Sequence, residues 1–132
     1  MLPSVGLGVY KCPSSETEAV VTSALSVGYR HVDTAQVYGN ELPVGNAVEA
    51  FEASHPGERV FITTKLWKAS WGYDACNNAV LSSLEKLRRL DLVLLHAPGD
   101  AATRAETWRA LEDNVKAGRI GAPTVGTLLH AY

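Results

Sequence analysis

Three polar residues, evenly spaced at the ends of apolar runs, constrain the fold of this 132-residue chain more than any other feature. Asp33, Lys65 and His96 each close a short hydrophobic segment. Lys65 follows Asp33 by 32 positions and His96 follows Lys65 by 31. That interval is the length of one strand-plus-helix unit, so the recurrence is a structural period. The runs Val5–Tyr10, Tyr29–Asp33, Val60–Thr64 and Leu90–Leu95 read as strands. The third is β-branched and aromatic, and the fourth is apolar almost throughout. Between and after them, Glu16–Val27, Glu41–Ala53, Asp74–Arg88 and Arg104–Lys116 carry apolar residues at helical spacing. Ser14 or Ser15 is expected to cap the first helix, and Gly28 to end it with a left-handed residue.

Strand then helix, four times over, predicts an α/β fold with a parallel sheet covered by helices. No linker-like stretch divides the chain. Periodicity leaves open whether the sheet is open or part of a barrel. Composition serves mainly to exclude. A net charge of -2, with no basic cluster beyond Arg88-Arg89, argues against nucleic acid or an anionic membrane as partner. No apolar run reaches the roughly 20 residues that span a bilayer, and no basic-then-apolar leader opens the chain. Cys12 and Cys76 have neither metal nor redox spacing, so two reduced thiols in a cytoplasmic protein are expected, with no metal.

In parallel sheets of this kind, polar groups just past the carboxyl ends of the strands face a common crevice. Asp33, Tyr38, Lys65 and His96 are expected to meet there. A free phenol titrates near about 10, and a neighbouring ammonium favours its ionised form. Lys65 could supply that ammonium, with Asp33 holding it. His96 could hydrogen-bond a substrate oxygen. A phenol acting as general acid suits carbonyl reduction, where a new alkoxide must receive a proton, and equally the reverse oxidation. Each residue has a plainer role available: Asp33 capping a turn, Tyr38 a half-buried aromatic, Lys65 a solvated charge, His96 a structural imidazole. Four unlike ionisable types at three consecutive strand ends favour the shared site.

Taken together, Asp33-Thr34-Ala35, Tyr38-Gly39-Asn40-Glu41, Thr64-Lys65-Leu66-Trp67 and Leu95-His96-Ala97-Pro98 closely resemble the aldo-keto reductase superfamily, from about Leu2 to Gly118. Gly6-Leu7-Gly8 is similar to that family's first barrel strand. The resemblance implies a TIM-type (β/α)₈ barrel that binds NADPH, less often NADH, without a Gly-rich dinucleotide fingerprint. It implies Tyr38 as proton donor, tuned by Lys65 and Asp33, with His96 orienting the carbonyl. It places Gly8, Val9 and Asp33 at the cofactor, and Tyr10, Trp67 and His96 at the substrate.

A complete barrel of this type takes about 250 residues. The chain is therefore expected to hold about four parallel βα units of a partial TIM barrel: residues 1–118 as the amino-terminal half and 119–132 as a divergent tail. Pro123 argues against a central strand in that tail. Open sheet edges would favour self-association. The expected function is an NADP(H)-dependent reductase of aldehydes or ketones, weak or inactive as truncated. One alternative is a non-catalytic interaction protein pairing through its open barrel face. Another is a flavodoxin-like phosphate-binding domain, for which no Gly-rich turn opens a helix after a strand.

Overall fold

The computed structural model describes residues 2–97 and 99–121. Four parallel strands form one sheet in chain order: β1 (Leu7–Gly8), β2 (His31–Asp33), β3 (Phe61–Leu66) and β4 (Leu92–Leu95). Helices α1 (Ser14–Ser26), α2 (Glu41–Ser54), α3 (Tyr73–Leu87) and α4 (Ala101–Lys116) follow the strands one by one. Each helix packs on the next in line, α1 on α2, α2 on α3 and α3 on α4. A doubly wound sheet reverses its strand order partway. This one never does, so it is a stretch of singly wound barrel wall.

The register assigns each strand residue a face. Val32 lies beside Leu7 and Ile62, Asp33 beside Gly8 and Thr63, and Lys65 beside Leu94. Alternation along a strand then puts Val32, Ile62, Leu66, Val93 and Leu95 under the helices. There they form the core with Val21, Leu25, Val44, Val48, Val80, Leu87 and Leu111. Asp33, Thr63, Lys65, Leu92 and Leu94 occupy the opposite, inner face. A period of two is what lets one strand build core and site at once.

Several local expectations shift. Only Leu7 and Gly8 of the first run pair as strand, and a Cβ on Gly6 would lie 2.4 Å from His31 Nδ1. Pro13, not a serine, precedes α1; Ser14 and Ser15 are already helical. Its carbonyl accepts from the Glu16 and Thr17 amides and the Thr17 hydroxyl. Gly28 takes a positive φ of 103°, as expected after a helix. Between α2 and α3 the backbones nearly touch: a Cβ on Gly45 would lie 2.0 Å from the Lys86 carbonyl oxygen.

The amino ends of β3 and β4 are tied by charges. The buried Asp91 carboxylate accepts from the Ile62 amide and pairs with Arg59 and Arg89. Arg89 also forks onto Glu52, whose carboxylate accepts the Val60 amide. Past α4, Ile120 is buried in the core and the Gly121 amide donates to the Leu90 carbonyl. The first three residues of the segment expected as tail therefore pack with the barrel wall. Residues 122–132, with Pro123, lie outside the described residues.

Candidate active site

The site is built where β2 gives way to α2. After Asp33, Thr34 and Ala35 lead into a 3₁₀ turn, Gln36–Tyr38, which Gly39 ends at φ +68° so that α2 can start at once. The turn is pinned from both sides. Gln36 Nε2 donates to the Ala79 carbonyl at 3.2 Å and to Ser83 Oγ at 3.3 Å, while Gln36 Oε1 accepts from Ser70 Oγ at 3.1 Å. Asn40, fully buried, donates to the carbonyls of Val9 and Cys12 at 3.0 and 3.2 Å and accepts from Thr34 Oγ1 at 2.7 Å. One amide thereby locks the loop after β1 to the loop that carries Tyr38.

Lys65 lies inside β3 rather than at its end, on the inner face. Its ammonium donates to Asp33 Oδ1 and, at 2.9 Å, to the Thr34 carbonyl. It also sits 5.1 Å from the centre of the Tyr38 ring. His96 meets that ring edge-on, centroids 5.8 Å apart, and meets Trp67 the same way at 5.1 Å. Tyr10 leans on Tyr38, ring centres 5.0 Å apart and the planes tilted by 47°. Asp33, Tyr38, Lys65 and His96 are thus brought together, flanked by Tyr10 and Trp67. Gly8 pairs beside Asp33, and a Cβ there would meet no atom within 4 Å. Val9 instead faces the core, its amide bonded to the Asp33 carbonyl and its own carbonyl engaged by Asn40 and Cys12. Of the two, Gly8 alone opens on the site.

Burial lowers the pKa of His96, and the Lys65 charge lowers it further against the opposing pull of Asp33. The imidazole is therefore neutral near pH 7, and its Nδ1 is buried with no hydrogen-bond partner. His31, lower on the inner face and bonded to Thr63 Oγ1 at 2.9 Å, is likewise pushed down by burial. A histidine that resists protonation when folded makes the unfolded chain the better proton binder just below its ordinary value of 6.5. Stability should then fall as pH drops from 7 through that window. Glu52, held below its ordinary 4.5 against burial by the Arg89 hydrogen bond, adds a further loss at lower pH. Melting curves from pH 7.5 to 5 should show this decline; a flat profile would contradict it.

Chemically, the cluster offers one neutral imidazole, one phenol and a lysine-carboxylate pair in mutual contact. That set can hold a carbonyl oxygen and deliver a proton to it. No group of three or more metal-ligating side chains occurs among the described residues. Sequence reasoning placed Thr34 and Asn40 inside its motifs without giving either a role, and it did not single out Gln36, a polar residue between Asp33 and Tyr38.

The model of the aldo/keto reductase family matches residues 4–127. The chain belongs to the aldo-keto reductase family. It is 39% identical over 127 residues to an uncharacterized oxidoreductase of Saccharomyces cerevisiae, covering 90% of this chain and 45% of that protein. To the glyoxal reductase of Bacillus subtilis it is 41% identical over 124 residues, covering 92% and 44%. Among solved structures, an aldo/keto reductase from Brucella melitensis superposes with a TM-score of 0.88 at 37% identity, covering 98% of this chain and 51% of that one. The aldo-keto reductase of Bombyx mori in complex with NADP gives 0.84 at 32% identity, covering 94% and 46%. This aldo-keto reductase chain therefore spans about half the length of the curated relatives it matches, and its fold is a partial TIM barrel.

Proposed function

We propose that this chain carries the proton-donor site of a carbonyl reductase acting on small aldehydes or ketones with NADPH, or with NADH. The observation that carries this reading is the Lys65 ammonium, held by Asp33 and seated against the Tyr38 ring, which His96 meets edge-on. When bound, the dihydronicotinamide supplies the hydride. Gly8 leaves room for it beside Asp33. His96 positions the substrate carbonyl oxygen, and Tyr38 releases its hydroxyl proton to that oxygen as the alcohol forms. The phenolate left behind rests beside the Lys65 cation until it recovers a proton from water. The NADP complex of the Bombyx mori relative and the glyoxal reductase of Bacillus subtilis support the cofactor and the carbonyl class. Free Cys12 and Cys76 suit a reducing compartment such as the cytoplasm, and burial pushes the Cys76 thiol up to about 12, leaving it inert.

The test is a fluorescence titration with NADPH followed by turnover of a simple aldehyde, in the parent chain and in Tyr38→Phe. The substitution should lower turnover by about two to four orders of magnitude, the usual worth of a general acid, with NADPH affinity unchanged. Equal turnover in the two proteins removes Tyr38 from the role.

A further inference from the structure

We propose that Gln36 is a positioning residue, which sets the Tyr38 phenol against Lys65 and His96 through a buried hydrogen-bond chain running from Gln36 through Ser83 and Glu41 to Thr64. The inference deepens the carbonyl-reductase reading, and its kinetic test alone rests on that reading. The Tyr38 side chain meets Tyr10, His96 and Lys65 through its ring. Aromatic contacts of this kind hold over centroid separations of about 4.5–7 Å, so they leave a ring room to slide. The phenol therefore goes where its backbone goes. That backbone is the short 3₁₀ turn Gln36–Tyr38, whose middle residue, Val37, is half exposed. Holding the turn falls to the side chains on either side of Tyr38, and Asn40 ties it only toward the loop after β1.

Gln36 reaches the other way, to Ala79 and Ser83 of α3 and to Ser70. Ser70 ends the 3₁₀ turn Lys68–Ser70, which starts directly after Trp67. One amide thus refers Tyr38 both to α3 and to the loop whose indole meets His96. From Ser83 the direction of the chain is fixed. Its hydroxyl is fully buried, accepts from Gln36 Nε2 and gives its one proton to Glu41 Oε1 at 2.9 Å. The same carboxylate oxygen accepts from Thr64 Oγ1 at 2.7 Å, while Oε2 faces Lys86 Nζ at 3.4 Å.

Thr64 immediately precedes Lys65 in β3, and strand alternation sends the first toward the helices and the second to the inner face. Phenol and ammonium are therefore referred to one buried carboxylate, the first through the turn and the second through β3. None of the buried side-chain polar atoms along the chain lacks a partner. A satisfied buried network of this kind specifies one arrangement where apolar packing tolerates several. The precision matters at a proton donor, because a shift of about 1 Å at the reacting groups can cost about 100-fold in rate.

Gln36→Leu removes the three side-chain bonds at similar size. Ser83→Ala cuts the chain at its middle and leaves Gln36 bonded to Ala79 and Ser70. Each full-length variant is compared with the parent by NMR, through the nuclear Overhauser contacts of the Tyr38 ring with the His96 ring and the Lys65 ε-methylene. Both contacts should weaken in both variants, more in Gln36→Leu, while the His31–Phe61 ring contact in the same sheet persists. With NADPH and a simple aldehyde, kcat should fall about 10–100-fold with KM for the aldehyde unchanged, the pattern of lost alignment rather than lost binding. Ser83→Ala alone decides if Gln36→Leu does not fold. Tyr38 contacts of parental strength in a folded variant, or a loss shared equally by the His31–Phe61 pair, would overturn the proposal. Selective loss of the Tyr38 contacts in a chain without turnover would keep Gln36 in this role and discard the reductase reading. Parental turnover with the Tyr38 contacts unmoved would do the reverse.

Discussion

Replacing Gly45 by alanine is expected to lower the melting temperature of this chain by about 6–10 °C, although alanine is the better helix former. Two effects oppose each other. In the interior of α2, exchanging glycine for alanine gains about 1 kcal/mol in helix propensity. Against this, the new methyl would lie 2.0 Å from the Lys86 carbonyl oxygen, 3.0 Å from its carbonyl carbon and 3.1 Å from the Leu87 Cα. These are backbone atoms, so no rotamer change relieves the contact and the helices must separate. Overpacking of a rigid contact costs about 1–3 kcal/mol, and more where neighbours cannot yield. Separation also strains the bonds from Ser83 and Lys86 to the buried Glu41. The clash wins, by about 2 kcal/mol or more. Gly8→Ala is the control, since its methyl meets nothing and its stability change should stay within about 0.5 kcal/mol. A Gly45→Ala chain that melts at or above the parent temperature would show that α2 and α3 do not approach this closely.

Asn40→Asp should be worse still, at about 3–5 kcal/mol, despite being nearly isosteric. The side-chain nitrogen donates to two carbonyls, at 3.0 and 3.2 Å. An oxygen in its place removes both hydrogen bonds and sets a negative charge against two acceptors in a site with no solvent exposure. Asn40→Ala removes the same bonds without adding a charge and should cost about 2–3 kcal/mol. Urea denaturation of the three proteins reads this order directly. Because Asn40 joins the loop after β1 to the loop bearing Tyr38, both variants should also loosen the Tyr10–Tyr38 contact. If aspartate proved as stable as asparagine, the buried clamp would be wrong.

Why the fold could be read in advance, and the clamp could not, comes down to range. A strand-helix period depends on neighbours within one unit, and Asp33, Lys65 and His96 mark it plainly. The partial barrel needed more, because strand order is a property of pairing between units. Polar side chains were the least legible. Asn40 and Glu41 stand at the start of a helix, where sequence alone suggests an end cap and a carboxylate favouring the helix dipole. Asn40 does precede α2, yet its side chain makes no cap bond. Glu41 is buried and accepts from the hydroxyls of Thr64 and Ser83, far along the chain. Lys65 closes the run Val60–Thr64 and so reads as a strand end, yet β3 continues to Leu66. Its pairing with Asp33 pulls it one position inward, onto the inner face.

Sequential strand order has a consequence for synthesis. Each strand takes its place beside one that precedes it in the chain, and each helix settles against its predecessor. A nascent polypeptide leaving the ribosome would thus always find its template already assembled. Growth proceeds by accretion, one strand-helix-strand crossover at a time, without awaiting a distant partner.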